Sequence, residues 1–252
     1  MSSQQIAIKT QAEIEIMREG GKILHECLQL TAAMVKPGIS TYELDKFAEE
    51  FLKKHNVVPS FKNYHGYPAT LCTSVNEQVV HTIPTKTQIL KPGDIVSIDC
   101  GAVHKKMHTD ATVLVGVHPL SNQADSLIKN SEDILDSTLN FIRDGIYLND
   151  LSEHIEKQIH RHGYNVVQEL TGHGIGYKLH EPPHVLNYKE GTGRGPQLKA
   201  GMTLAIEPIF TTGNGRIRTL HDKWTIVTAD GSLASQIEHT ILITEDGYEI
   251  LT

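Results

Sequence analysis

Four carboxylates and one imidazole stand out in this chain for the chemistry they could do: Asp99, Asp110, Glu207 and Glu238, with His173. Asp99 and Glu207 each close a short run of β-type apolar residues behind a Lys-X-Gly turn. Leu90-Lys-Pro-Gly-Asp-Ile-Val-Ser-Ile-Asp99 is matched, at an offset of 108 residues, by Leu198-Lys-Ala-Gly-Met-Thr-Leu-Ala-Ile-Glu207. Period-two alternation puts Asp99 with Ile95 and Ser97, and Glu207 with Thr203 and Ala205, on the less apolar face of each strand. A carboxylate in such a strand is costly unless a positive charge or hydrogen bonds compensate it. Asp110 opens a following strand eleven positions after Asp99, a separation suited to the second arm of a hairpin. Glu238, flanked by β-branched residues, is its counterpart in the second half. His173 lies in a loop, Thr171-Gly-His-Gly-Ile-Gly176, whose glycines allow close backbone approach. Any one of these acids alone could be a salt-bridge partner. Four at matched positions of a repeat suit two divalent cations with some carboxylates bridging.

Two more histidines share a spacing, in His81-Thr-Ile-Pro84 and His180-Glu-Pro-Pro183. One from each half could flank a metal centre as hydrogen-bond donor or proton carrier. His180-Glu-Pro-Pro-His184 also satisfies H-E-x-x-H, but that zinc pattern works only on a helix. Pro182 and Pro183 force the segment extended, so the zinc-protease reading is rejected.

These side chains need elements to hold them. Thr10-Gln-Ala-Glu13 is a capping box ahead of a helix running to about Val35, with Ile14, Met17, Leu24, Cys27 and Leu28 on its apolar face. Ser121 to Ile142 repeats that role with Leu127, Ile128, Leu135, Leu139 and Ile142. Ser40 with Glu43, and Asp150 with Glu153, begin a second helix in each half. Strands are predicted over 70–75, 94–103 and 110–117, then 202–212, 224–228 and 236–244, with hairpin turns at Asp230-Gly231 and Asp246-Gly247. Offsets of 107 over the helices and 108 over the acid-bearing strands indicate an internal duplication about a pseudo-twofold axis. The pattern predicts an α+β fold: one curved antiparallel sheet covered on one side by two helix pairs. Residues 1–252 form one domain of two halves, about 1–120 and 121–252, with the ligands meeting near the axis. Gly191 to Pro196 is a surface loop.

At 28.0 kDa and 39% hydrophobic the chain can bury a substantial core. A net charge of −7 leaves no basic footprint for specific nucleic-acid binding. Cys27, Cys72 and Cys100 form no C-x-x-C pair and read as thiols of a reducing compartment. The first ten residues lack a signal-peptide core, and no run approaches the ~18 apolar residues of a membrane span. The expectation is a cytoplasmic protein with no membrane partner.

Taken together, Val75-Asn-Glu-Gln-Val-Val-His81, Ser97-Ile-Asp99, His108-Thr-Asp110, Gly172-His-Gly-Ile-Gly176, Leu179-His-Glu-Pro182, Ala205-Ile-Glu-Pro208 and Ile237-Glu-His-Thr240 resemble, in order and spacing, the type I methionine aminopeptidases of the pita-bread fold. The resemblance covers nearly the whole chain. It implies that Asp99, Asp110, His173, Glu207 and Glu238 hold two divalent ions, whether manganese, iron, cobalt or zinc. It makes His81 and His180 catalytic and substrate-contacting, with Glu207 as general base. The methionine side-chain pocket maps onto Tyr64, Tyr67, Cys72 and Trp224, with Leu179 where the family commonly has an aromatic residue. Implied partners are peptide or nascent-chain N-termini and, transiently, the ribosome, for a monomeric enzyme. Implied activity is removal of an initiator methionine when the second residue is small. Two alternatives stay open. One is another pita-bread peptidase acting on proline-containing peptides, which usually carries an extra N-terminal domain that residues 1–35 leave no room for. The other is a non-catalytic ribosome- or RNA-binding scaffold.

Overall fold

The computed structural model describes residues 6–252. Residues 1–5, the start of the stretch read for a signal peptide, lie outside the described residues. In chain order the elements of the first half are α1 Gln11–Ala33, α2 Thr41–Lys54, β1 Val58–Pro59, β2 Leu71–Val75, β3 Gln78–Val80, β4 Ile95–His104 and β5 Met107–Gly116. The second half has α3 Asn122–Phe141, α4 Leu148–Arg161, β6 Asn165–Val166, β7 Thr171–Gly174, β8 Glu181–Leu186, β9 Thr203–Ile206, β10 Ile209–Thr211, β11 Ile217–Thr219, β12 Ile226–Thr228, β13 Ala234–Gln236, β14 Glu238–Ile243 and β15 Tyr248–Ile250.

Local chemistry sets the helix starts. Thr10 with Glu13, and Ser40 with Glu43, form reciprocal capping boxes that satisfy otherwise unpaired first-turn amides. Ser121 accepts from the Ala124 amide in the same way. The expected cap at Asp150 is corrected. α4 starts at Leu148 behind Tyr147, with no side-chain cap, and Asp150 lies inside its first turn, paired instead with Arg194. At the 107 offset Tyr147 stands where Ser40 stands, so the repeat holds in backbone while its capping chemistry does not.

The strands divide over one nine-stranded sheet and two three-stranded ones rather than lying in a single sheet. Through the centre of the large sheet the order is β2-β4-β5-β14-β9-β7, all antiparallel, which is a palindrome about the β5/β14 seam. The two predicted long strands of the second half are each broken, at Glu207-Pro208 and at Ile237, and their outer parts, β10 and β13, pair with each other. Proline removes the ladder donor that continuation past Glu207 would need. Asp246-Gly247 turns β14 into β15, as expected. Asp230-Gly231 does not make a hairpin: the strands it joins, β12 and β13, lie in different sheets.

Each helix pair seals its own half. Leu24, Leu28, Leu44 and Leu52 pack on Val96, Ile98 and Cys100, and Leu127, Leu135, Leu151 and Ile155 pack on Leu204, Ile206 and Ile241. A third cluster draws on both halves, joining Phe61, Tyr67 and Cys72 to Leu179, Leu242 and Leu251. The cleft opens beside that cluster.

Candidate active site

One row of cross-strand neighbours builds most of the site. Cys72 on β2 faces Asp99 on β4, Asp99 faces Thr112 on β5, and Thr112 faces Glu238 on β14. Directly opposed residues share a face and stand close enough for their side chains to meet. Asp110 is two residues from Thr112 on β5 and therefore points the same way. It is the fourth residue of β5, not the strand's opening as expected, and it faces Gly101. Asp99 likewise sits mid-strand, while Glu207 lies one residue beyond the end of β9.

His173 is on strand β7 rather than in a loop. It faces Ala205 on β9, two residues before Glu207. Its neighbours must be glycines: a Cβ on Gly172 would lie 2.5 Å from the Ala205 carbonyl oxygen, and one on Gly174 would lie 2.2 Å from that of Pro182. The ring is oriented by its own strand, Nδ1 lying 2.9 Å from the Gly174 carbonyl oxygen. With Nδ1–H donating there, the Nε2 lone pair is free and aimed at the carboxylates, 3.7 Å from Glu207 Oε1.

The electrostatics of this cluster are unfavourable as it stands. Burial pushes the carboxyls of Asp110, Glu207 and Glu238 well above the usual range, and mutual repulsion adds to it. Asp99 is pushed up to about 7 by burial. Burial holds His173 down, to about 3, and the nearby His180 adds to the effect. Among the described residues no lysine or arginine pairs with any of the four acids. Asp99 Oδ1, Asp110 Oδ1 and Glu238 Oε1 are buried with no hydrogen-bond partner. Ligand atoms of Asp110, His173 and Glu238 lie within 4.8 Å of one another. Unpaired oxygens, one free imidazole nitrogen and no basic residue make a donor set that fits hard or borderline divalent cations.

Asp99, Asp110, Glu207 and Glu238 border one cleft, which is also lined by Tyr64, Tyr67, Cys72, Leu179, Trp224, His81 and His180. Every residue assigned to the candidate site in the sequence therefore reaches this region, His173 through ring contact with His180 at 4.4 Å between centroids. His180 opens onto the cleft, and the crowding of its walls, followed by repulsion from His81, holds its pKa down to about 4. His81 stands at φ 58°, a left-handed conformation uncommon for a residue with a Cβ. H-E-P-P-H is extended, as expected, with Glu181 to Leu186 forming β8.

Three cleft residues are not marked by sequence pattern. Buried Phe61 and exposed His65 also line it, and Gln236 lies among the acids, its Nε2 donating to Asp99 Oδ2 at 3.4 Å. Gln236 sits two residues before Glu238 at the end of β13, so proximity to a strand acid was its one available signal.

Residues 15–245 match the model of metallopeptidase family M24. The chain is 47% identical over 247 residues to a methionine aminopeptidase of Clostridium perfringens, covering 98% of both chains. A crystal structure of the methionine aminopeptidase from Thermotoga maritima superposes with a TM-score of 0.96 at 42% identity, covering 98% of this chain and 99% of that one. The prolidase from Pyrococcus furiosus, at 22% identity and a TM-score of 0.78, shares the fold, with 65% of its chain covered. A buried cluster of carboxylates and one imidazole suited to divalent cations, at the centre of a palindromic sheet in a chain matched over 98% of its length by such relatives, leads to one conclusion: the chain belongs to metallopeptidase family M24, and within it to the methionine aminopeptidases.

Proposed function

We propose that the protein removes the N-terminal methionine from peptides and nascent chains whose second residue is small. The observation that carries this reading is the adjacency of an apolar recess to the carboxylate cluster, with Cys72 and Asp99 as direct cross-strand neighbours. Tyr67 and Trp224 meet edge to face at 5.1 Å between centroids, and Leu179 and Phe61 add aliphatic and aromatic wall. Such a recess suits methionine's flexible thioether. The Tyr67 hydroxyl is occupied, donating to the carbonyl oxygens of Leu71 and Thr82, so that ring offers only its apolar face.

Asp99, Asp110, His173, Glu207 and Glu238 would hold two divalent ions, of manganese, iron, cobalt or zinc. When bound, they supply positive charge that polarises the scissile carbonyl and lowers the pKa of water from about 15.7 towards about 7. Glu207 acts as general base on the attacking water. Neutral His180 donates a hydrogen bond to the oxygen that gains charge. Its Nδ1 bonds the Tyr64 hydroxyl at 3.0 Å, and with that hydroxyl as donor the ring's proton sits on Nε2, free for the substrate. His81 contacts the substrate amide from the opposite half. The crowded mouth beyond the scissile bond restricts the second residue to small types.

The reading extends to a single catalytic domain of two halves, acting as a cytoplasmic monomer in transient contact with the ribosome. Among the described residues no helix is long and apolar enough to cross a membrane. The test is methionine release from Met-Ala-Ser and Met-Leu-Ser by chelator-stripped protein with each metal restored in turn. Metal-dependent cleavage of the first peptide alone is expected. No cleavage by folded, metal-loaded protein would overturn the reading, and tight RNA binding by that protein would favour a scaffold role.

A further inference from the structure

The motif Ile237-Glu-His-Thr240 contains a proposed ligand, Glu238, and a threonine that none of the chemistry above uses. Thr240 is fully buried. Between β5 and β14 the ladder runs through Glu238↔Thr112 and His239↔Ala111 and then stops, although the next opposed pair would be Thr240 with Asp110. The hydroxyl of Thr240 takes over both of the bonds that the ladder would have made there. It accepts from the Asp110 amide at 2.8 Å and donates to the Asp110 carbonyl oxygen at 2.7 Å.

Thr240's own backbone is used elsewhere. Its amide donates to Thr252 Oγ1 at 3.1 Å and its carbonyl oxygen accepts from the Leu251 amide at 2.9 Å, after which the same edge of β14 pairs with β15. The β14 edge is thus shared between two strands, and Thr240 stands at the changeover. Without its hydroxyl, the buried amide and carbonyl of Asp110 would have no partner on this side, and buried unpaired backbone groups are strongly disfavoured. Water or a shift of β5 would have to replace the bonds, and either would move the Asp110 carboxylate relative to Glu238 and His173.

We propose that Thr240 is a positioning residue for the metal centre: its hydroxyl, standing in for a missing ladder pair, fixes the backbone of Asp110. The inference rests on the reading of Asp110 as a ligand, and the experiment separates the two. Chelator-stripped protein is titrated with Mn(II) by calorimetry, in wild type and in T240V, T240S and D110N, alongside the melting temperature of each metal-free protein. T240V keeps the shape and loses the hydroxyl; it is expected to weaken Mn(II) binding about tenfold or more, the scale typical of groups that orient ligands. T240S keeps the hydroxyl and is expected to bind within about threefold of wild type. A lower melting temperature in T240V with unchanged Mn(II) affinity would make Thr240 merely structural and overturn the inference. Equal weakening in T240S, which keeps the hydroxyl, and in T240V, which keeps the methyl, would show that the hydroxyl does not by itself govern the site and would overturn the inference too. Unchanged affinity in D110N would remove Asp110 as a ligand, whereas weakening in D110N but not in T240V would sink only the role of Thr240. Should T240V not fold, T240C, of similar volume with a weak donor, takes its place with the same expected direction and the same overturning result.

Discussion

Tyr64 and His180, 116 positions apart in sequence, are joined by a hydrogen bond of 3.0 Å between the tyrosine hydroxyl and Nδ1. The family resemblance places Tyr64 in the methionine pocket, and it does line the cleft. Its hydroxyl, however, is spent on the imidazole, whose ring centroid is 5.4 Å away. Under the proposed mechanism Tyr64 would act on the reaction through His180 as well as on the substrate.

Tyr64→Phe keeps the ring and removes that bond. One neutral hydrogen bond is worth about 0.5–1.5 kcal/mol, so kcat is expected to fall about two- to tenfold with KM changed less. His180→Ala removes the donor itself, and a loss of about a hundredfold in kcat is expected. Steady-state kinetics on Met-Ala-Ser measure both. A raised KM with unchanged kcat in Tyr64→Phe would confine the residue to the pocket wall.

Metal removal should make stability fall as pH rises. In the metal-free protein burial raises all four carboxyls, Asp99 to about 7. A carboxyl whose folded pKa lies above its unfolded value favours the fold in its protonated form. Its contribution is fully present below the unfolded value of about 4 and is lost as pH rises through about 7. Chelator-stripped protein is therefore expected to melt at a lower temperature at pH 8 than at pH 5, and added metal should remove the difference. Binding must also release protons, which calorimetry in buffers of different ionisation enthalpy detects. A metal-free melting temperature that does not fall between pH 5 and pH 8 would contradict the burial of these acids.

Lys9 and Glu181 form an ion pair of 2.9 Å with side chains 1% and 8% exposed. The pair anchors the segment before α1 to the residue that follows His180. Glu181's other oxygen accepts from the Lys178 amide, closing the turn that carries Leu179 and His180. Lys9→Met would leave a buried carboxylate without its cation, at a cost of about 3–5 kcal/mol. Urea unfolding of metal-loaded protein checks this, and a loss below about 1 kcal/mol would mean the pair is freely hydrated.

Local signals make the centre of this fold legible in the sequence. Capping boxes fix α1 and α2, and the repeated segment of Lys-X-Gly turn, apolar strand and terminal acid locates Asp99 and Glu207 by pattern alone. The cap at Asp150 fails because its box pattern is incidental: tertiary packing of Leu148 and Leu151 sets the start of α4, and Asp150 finds Arg194 instead. The break after Glu207 has a signal in Pro208, but the break at Ile237 is illegible for a related reason. That run, Gln236-Ile-Glu-His-Thr-Ile, stays β-type through the break, and only the pairing of β13 with β10 reveals it. Gln236 and His65 escape notice because a buried amide and a loop-mouth histidine leave no periodic signature. Glu181 stands out only as part of a false zinc motif; its role depends on Lys9, 172 positions away.

Gly174 offers the sharpest test of how closely the site is built, by contrast with Gly163. At Gly163 the backbone is left-handed, with φ 82°, and nothing lies within 4 Å of an added Cβ, so Gly163→Ala meets only a conformational cost of about 1 kcal/mol. At Gly174 the obstacle is packing. The added Cβ would sit 2.2 Å from the Pro182 carbonyl oxygen and 3.0 Å from that of Glu181, both backbone atoms of the paired strand. Neither can rotate away, so Gly174→Ala must part β7 from β8. His173 is the preceding residue on β7, and His180 immediately precedes β8, so the separation changes the distance between a proposed ligand and a proposed oxyanion donor. Gly174→Ala is expected to cost about 1–3 kcal/mol in stability. It should also lower both Mn(II) affinity and kcat, whereas Gly163→Ala should lower stability alone. Equal stability losses with kcat and affinity intact in both variants would show that the β7–β8 spacing does not govern the site.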